Sequence, residues 1–179
     1  SAIDPRDFRN ALGTFGTGVT IVTAMAADGT PYGVTCNSFA SVSLNPPLVL
    51  WSLGMFSQGL TIFQNASHFT INVLGASQEA LASQFAKSSD DKFAGVSWTP
   101  GLGNAPVLTD SVASFQCRAA NRYYGGDHII FLGAVEANLI GLSLSNPQAT
   151  WPVSYNDPSI TWIDHDGDGQ PGITSLIPT

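Results

Sequence analysis

Apolar residues recur first at helical and then at strand spacing along this chain. Phe8, Leu12 and Phe15 lie three or four residues apart behind Asp4-Pro5, a capping residue followed by a proline suited to the first helical position. They predict an amphipathic helix over 5–15, ended by Gly16 and Gly18. From Val19 the period shortens: Val19, Ile21 and Thr23 alternate with Thr20, Val22 and Ala24, Asp28-Gly29 marks a turn, and 32–37 reads as the returning strand of a hairpin. Residues 38–47, rich in Ser, Asn and Pro, predict a loop, 48–53 a short apolar strand, 57–66 a short helix and 69–74 another strand. Leu81 and Phe85 give 78–87 helical character, and 88–106 reads as an irregular excursion. The longest strand candidates, 112–123 and 128–139, are joined by Gly125-Gly126-Asp127. Strands outnumber helices and several form adjacent hairpins, which predicts a mainly β (α+β) fold: an antiparallel barrel with peripheral helices over 1–142. A doubly wound parallel sheet needs a regular strand–helix alternation that this chain lacks. Residues 143–179 lose the periodicity and read as an extended C-terminal tail.

Composition narrows the class. At 179 residues, 44% apolar, the chain can bury a core and is not of disordered type. Charged residues make up 11%, against about 25% in typical soluble domains, which points to surface hidden in an oligomer. The net charge is −7 and the only cations are Arg6, Arg9, Lys87, Lys92, Arg118 and Arg122. Without a basic cluster, nucleic-acid binding by phosphate neutralisation is excluded. An anionic ligand would be held by backbone N–H groups, hydroxyls and at most a cation or so. Cys36 and Cys117 form neither a CxxC pair nor a disulfide framework. No leader-like segment and no apolar run of about 18 residues is read from the sequence, so a cytoplasmic enzyme is expected.

Four stretches carry candidate chemistry. Thr35-Cys36-Asn37-Ser38-Phe39-Ala40-Ser41-Val42-Ser43 gathers small donors and acceptors at a strand exit, suited to a ribityl chain, a phosphate and the edge of a flavin ring; a loop capping its own backbone would look similar. Gly125-Gly126-Asp127-His128 puts a histidine at a strand start after a glycine turn, where it would orient a nicotinamide or relay a proton, or simply close a hairpin. Asp90-Asp91-Lys92-Phe93 is either a solvated helix end or a place where the Lys92 ammonium meets a phosphate or ring oxygen and Phe93 packs on a cofactor. Asp164 to Gly169 opens like a calcium loop, but the twelfth position is Ser175 rather than a bidentate Glu, so an acidic turn is expected. His68, His128 and His165 show no zinc spacing, and GxSxG, GxxxxGK[ST] and GxGxxG motifs do not occur.

Taken in order, FRNALGTFGTGVTIVTA (8–24), GVTCNSFASVSLNPPLVLWSL (33–53), HFTINVLGASQEALASQFA (68–86), DKFAGVSW (91–98) and GDHIIFLGAVE (126–136) resemble the flavin reductase-like family, the small reductase components of two-component flavin monooxygenases. The resemblance covers about 6–140 and implies an FMN-binding split β-barrel, Greek-key-like, in a homodimer. It implies an NAD(P)H:flavin oxidoreductase, passing hydride from the nicotinamide of NADH or NADPH to FMN or FAD and supplying reduced flavin to a partner monooxygenase. Carried over by position, Thr35, Cys36, Asn37, Ser38, Ser41 and Val42 would line the flavin, and Ser52, Ser57 and Gln58 would meet its phosphate side. Ala86, Lys92 and Phe93 would close the site, and Asp127-His128 would face the nicotinamide, with His128 positioning it. Two departures stand out. The family often has a cation and then a threonine after Ser57, where this chain has Gln58 and Gly59, and the residues from about 148 do not match. A non-catalytic flavin carrier on the same barrel, a calcium-dependent module using 164–169 and reduction of another acceptor are the alternative readings.

Overall fold

The computed structural model describes residues 3–140. Helix α1 (Pro5–Gly13) starts where expected because the Asp4 carboxylate accepts from the N–H groups of Arg6, at 2.9 Å, and Asp7, at 3.1 Å. Strands β1 (Thr20–Met25) and β2 (Pro31–Cys36) form the first hairpin, pairing Thr20 with Cys36 and Met25 with Pro31. Its turn uses Gly29 at φ 83° and the Asp28 carboxylate, which accepts from Thr30 N–H at 2.9 Å.

Residues 38–47 depart from the loop expected of them. They contain β3 (Ala40–Leu44), which pairs with β4 (Pro47–Gly54) across a bulge between Ser41 and Ser43. The Ser-Val-Ser alternation of β3 lies on an exposed edge, so it lacks the run of apolar residues that marks a buried strand. There follow α2 (Leu60–Asn65), β5 (His68–Val73) and α3 (Glu79–Ala86). The 88–106 excursion contains β6 (Trp98–Pro100), which with β7 (Pro106–Leu108) forms a small two-stranded sheet. The long hairpin is β8 (Ala113–Gly125) with β9 (His128–Ile140).

The fold is mainly β. Seven strands form one antiparallel sheet in the order β2-β1-β5-β8-β9-β4-β3, with few helices outside it. Period-2 alternation sends Val22 and Ile21 to opposite faces of β1, and both faces are covered. On one side Val22, Val34, Leu53, Phe63, Phe69, Ile71 and Phe131 pack around Trp51, whose ring stacks on Phe131 at 4.7 Å and meets Phe63 edge-on at 4.8 Å. On the other, Ile21, Leu74 and Leu108 pack against Ala82 and Phe85 of α3. Asn72 is buried between the strands with its amide fully used. Its Nδ2 donates to Ile21 O and Thr23 Oγ1, and its Oδ1 accepts from Leu108 N–H and the Ser114 hydroxyl.

Among the described residues β2 and β3 are the two edges of the sheet, and residues 37–39 alone join them. The four backbone steps from Cys36 to Ala40 reach at most about 14 Å. The end of β2 and the start of β3 therefore lie no farther apart than that.

Candidate functional site

The connector 37–39 is fastened to β4 from within. The Ser38 hydroxyl donates to Ser52 O at 3.1 Å and accepts from Ser52 N–H at 2.8 Å. Phe39 stacks on Phe115 of β8 at 5.5 Å. Two residues beyond Ser52, Gly54 pairs with His128, and Met55 N–H donates to Asp127 O at 2.9 Å. Strand register thus gathers three of the predicted stretches at one end of the sheet: the 37–38 connector, the 51–58 segment, whose first half is the end of β4 rather than the loop expected, and the Asp127-His128 turn, where Gly126 adopts φ 78°.

The flanking residues divide into those that face solvent and those that hold the scaffold. The Thr35 hydroxyl donates to Ala82 O at 2.6 Å, tying β2 to α3. Cys36 is buried, with Sγ 3.2 Å from the Thr20 hydroxyl, and burial pushes its thiol up from the usual range. Both side chains are therefore turned inward, and these positions offer a ligand backbone rather than side chain. Asn37 is half-buried, while Ser41 and Val42 lie exposed on β3. Ser52 and Ser57 are half-buried and Gln58 is exposed.

Lys92 is 8% exposed. Its ammonium donates to Phe85 O at 3.0 Å and Gly33 O at 3.4 Å, and stands 5.2 Å from the centre of the Tyr32 ring. It closes the C-terminal turn of α3, where exposed carbonyls favour a cation. Burial pulls its pKa down from the lysine range. The segment is held by Gln84, whose amide donates to Lys92 O at 2.8 Å and Ala94 O at 2.9 Å. Phe93 packs edge-on against Phe85 at 4.9 Å, and Ala86 lies half-buried at the end of α3. The structure brings Ala86, Lys92 and Phe93 together beside β2.

His128 is half-buried, and its Nδ1–H donates to the Asp127 carboxylate at 2.6 Å. An acidic acceptor on Nδ1 leaves Nε2 as the free ring nitrogen. The hydrogen bond from His128, with a further electrostatic pull from the same residue, holds the Asp127 carboxyl below its usual range. A second ionic cluster, His68–Glu136–Arg118, lies along β9 eight residues from His128, or about 27 Å in an extended strand. Among the described residues no group of three His, Cys, Asp or Glu could hold a metal, and no helix is long and apolar enough to cross a membrane. The acidic turn at 164–169 and the whole of 143–179 lie outside the described residues.

Tyr32 carries no signal in the sequence reading, yet it stands at the junction of these parts. Its ring meets Phe63 edge-on at 5.9 Å, lies under the Lys92 ammonium and closely approaches Gly59. Burial pushes its phenol up from the usual range. A glycine two residues after a serine was the one available clue, and its meaning depends on a residue far earlier in the chain.

Residues 12–159 match the flavin reductase like domain. The chain belongs to this family. It is 47% identical over 130 residues to the FMN reductase (NADH) SmoA of Agrobacterium fabrum, covering 73% of this chain and 74% of that protein. It is 39% identical over 165 residues to the flavin-dependent monooxygenase reductase subunit HsaB of Rhodococcus jostii, covering 92% and 81%. It spans 43% of the length of a probable flavin reductase of Rhizobium meliloti, at 44% identity. The structure of the Streptomyces globisporus NADH:FAD oxidoreductase SgcE6, in complex with NAD and FAD fragments, superposes with a TM-score of 0.72 at 40% identity, covering 78% of this chain and 86% of that one.

Proposed function

We propose that this flavin-reductase-family chain is an NAD(P)H:flavin oxidoreductase that reduces FMN or FAD and supplies the reduced flavin to a partner monooxygenase. The observation that carries the reading is the convergence of the Ser38–Ser52 connector with the Asp127-His128 turn through the Gly54–His128 pairing. Two reactants must be held face to face for hydride transfer, and this end of the sheet presents two separately built walls. The reductase names of SmoA, HsaB and SgcE6 support the same reading, with NADH as donor.

The donor set fits a flavin. Asn37, Ser38 and Ser41 offer amide and hydroxyl groups beside the backbone of Thr35 and Cys36, and Val42 adds an apolar contact. Ser52, Ser57 and Gln58 serve the phosphate end, while Ala86, Lys92 and Phe93 brace the far wall. When bound, the flavin supplies the hydride-accepting chemistry, and the chain supplies position and exclusion of water. His128, fixed by Asp127, turns Nε2 toward the nicotinamide side and orients the donor.

The three-residue link between sheet edges supports a split barrel formed by 1–142, with 143–179 as an appended tail. The uncovered Phe8, Leu12 and Phe15 of α1 and its following turn support a homodimer. Dependence on a diffusible nicotinamide supports a cytoplasmic setting. The test is NADH and NADPH oxidation at 340 nm, with and without FMN or FAD. Oxidation that requires added flavin is expected. Flavin binding without oxidation would instead identify a carrier.

A further inference from the structure

Between α3 and β6 the chain runs from Lys87 to Ser97 without helix or strand, yet one stretch of it, 92–94, is held from two directions. Lys92 reaches back from it, and its ammonium donates to Phe85 O on α3 and Gly33 O on β2. Gln84 reaches forward from the last turn of α3, and its amide nitrogen donates to Lys92 O at 2.8 Å and Ala94 O at 2.9 Å. The two side chains cross, each rooted in one segment and bonded to the backbone of the other. They do different things. Lys92 fastens only the tip of a flexible four-carbon stem. Gln84 fixes the backbone itself, at two points.

Both acceptors of Gln84 are carbonyl oxygens, so its amide must present the NH2 group, and both of those hydrogens are used. The turn that offers Ala94 O is closed by Val96 N–H to Phe93 O at 3.0 Å and carries Gly95 at φ 72°, a backbone that favours glycine. Phe93 lies between the two held carbonyls, and its ring meets Phe85 edge-on at 4.9 Å and Trp98 at 6.1 Å. The same helix supplies Ala82 O to the Thr35 hydroxyl. Helix α3 is thus the common support of 92–94 and of the end of β2 that leads into the connector 37–39.

We infer that Gln84 is a positioning residue for flavin binding. It sets the 92–94 wall relative to the connector 37–39. Its amide is spent on the backbone, so it acts through that wall and not on the ligand. The inference rests on the flavin-reductase reading and adds a residue that holds the site without lining it.

The test is the initial rate of NADH oxidation at varied FMN and at varied NADH, for the unaltered chain, Gln84→Glu, Gln84→Met and Gly95→Ala. Gln84→Glu keeps the shape and replaces the two donors by an acceptor. Gln84→Met keeps the length and removes the polar group. Each is expected to raise the FMN KM about three- to tenfold, the value of one hydrogen bond, with the NADH KM and the kcat changed less than twofold. Gly95→Ala disturbs the same turn from the opposite side and is expected to give the same split. A residue that only stabilised the fold would lower the Tm and leave the FMN KM of the folded protein where it was. An FMN KM within twofold of the unaltered chain in both Gln84 variants, or FMN and NADH KM values that rise by the same factor, overturns the role of Gln84 and leaves the reductase reading standing. An unaltered chain that shows no flavin-dependent oxidation overturns the reductase reading itself.

Discussion

Asn72 makes four hydrogen bonds from a position closed to solvent, joining β5 to β1, β7 and β8. Asn72→Ala would strand Ile21 O, Leu108 N–H and the Ser114 hydroxyl together. A loss of about 3 kcal/mol or more in a urea titration is expected, well beyond an average point mutation. On the proposed reading, His128 and Asp127 face the nicotinamide. His128→Ala is expected to raise the NADH KM about five- to tenfold and the flavin KM less than twofold. Asp127→Ala, which frees the ring, should raise the NADH KM by a smaller factor, about threefold, in the same initial-rate assay. The sequence singles out Asp127 and His128 but not Asn72, and it does not say which atoms face outward. Thr35 and Cys36, within the donor-rich stretch, and Lys92, in the separate 90–93 stretch, are expected as ligand contacts through the resemblance, and their polar side-chain atoms meet Ala82, Thr20, Phe85 and Gly33. The place of Tyr32 was invisible because its packing depends on a ring filling the space above Gly59.

At the scale of elements, α1 was legible because a cap and a helical period are local signals. Its partner was not. The same apolar residues that predicted the helix remain uncovered, Phe15 by 75%, and no described residue of α1 is buried. Phe8→Asp with Leu12→Asp is expected to convert a dimer to a monomer in light scattering after size-exclusion chromatography, with little loss of helix in circular dichroism. A monomeric unaltered chain would remove the dimer from the proposal. Strand β3 shows the opposite failure. Its pairing with β4 is long-range information, and its exposed Ser and Val side chains carry no core signal of their own. The two long strands β8 and β9 were read correctly in place because each continues through the core and out to an obvious glycine turn.

The whole molecule carries its stability mainly in two apolar clusters, and two thiols are buried near them. Burial, with a further push from the charge of Glu136, raises the Cys117 pKa from 9.0 to about 12, and burial also raises that of Cys36. The unfolded chain then loses these protons near pH 9 while the folded chain keeps them, so stability falls as pH rises from about 9 toward 12. Cys117 contributes a slope approaching about 1.4 kcal/mol per pH unit in that window, and Cys36 acts in the same direction. The buried Lys92 works the other way: its lowered pKa makes stability rise with pH from the folded value up to the unfolded 10.5. Thermal melts between pH 8 and 10.5 should show a falling Tm above pH 9 that is shallower in Cys117→Ala.

Residues 37–39 are both the segment that the proposed reading puts against the flavin and the link between β2 and β3, the two sheet edges among the described residues. Ligand that orders this segment would draw the two sheet edges together, so occupancy should register as slowed amide exchange along β2 and β3. The same economy limits how the protein can evolve. On the proposed reading, a change that loosens this link to release reduced flavin faster also frees the two sheet edges it joins, so faster turnover and thermal resilience would pull against each other in this one stretch of chain.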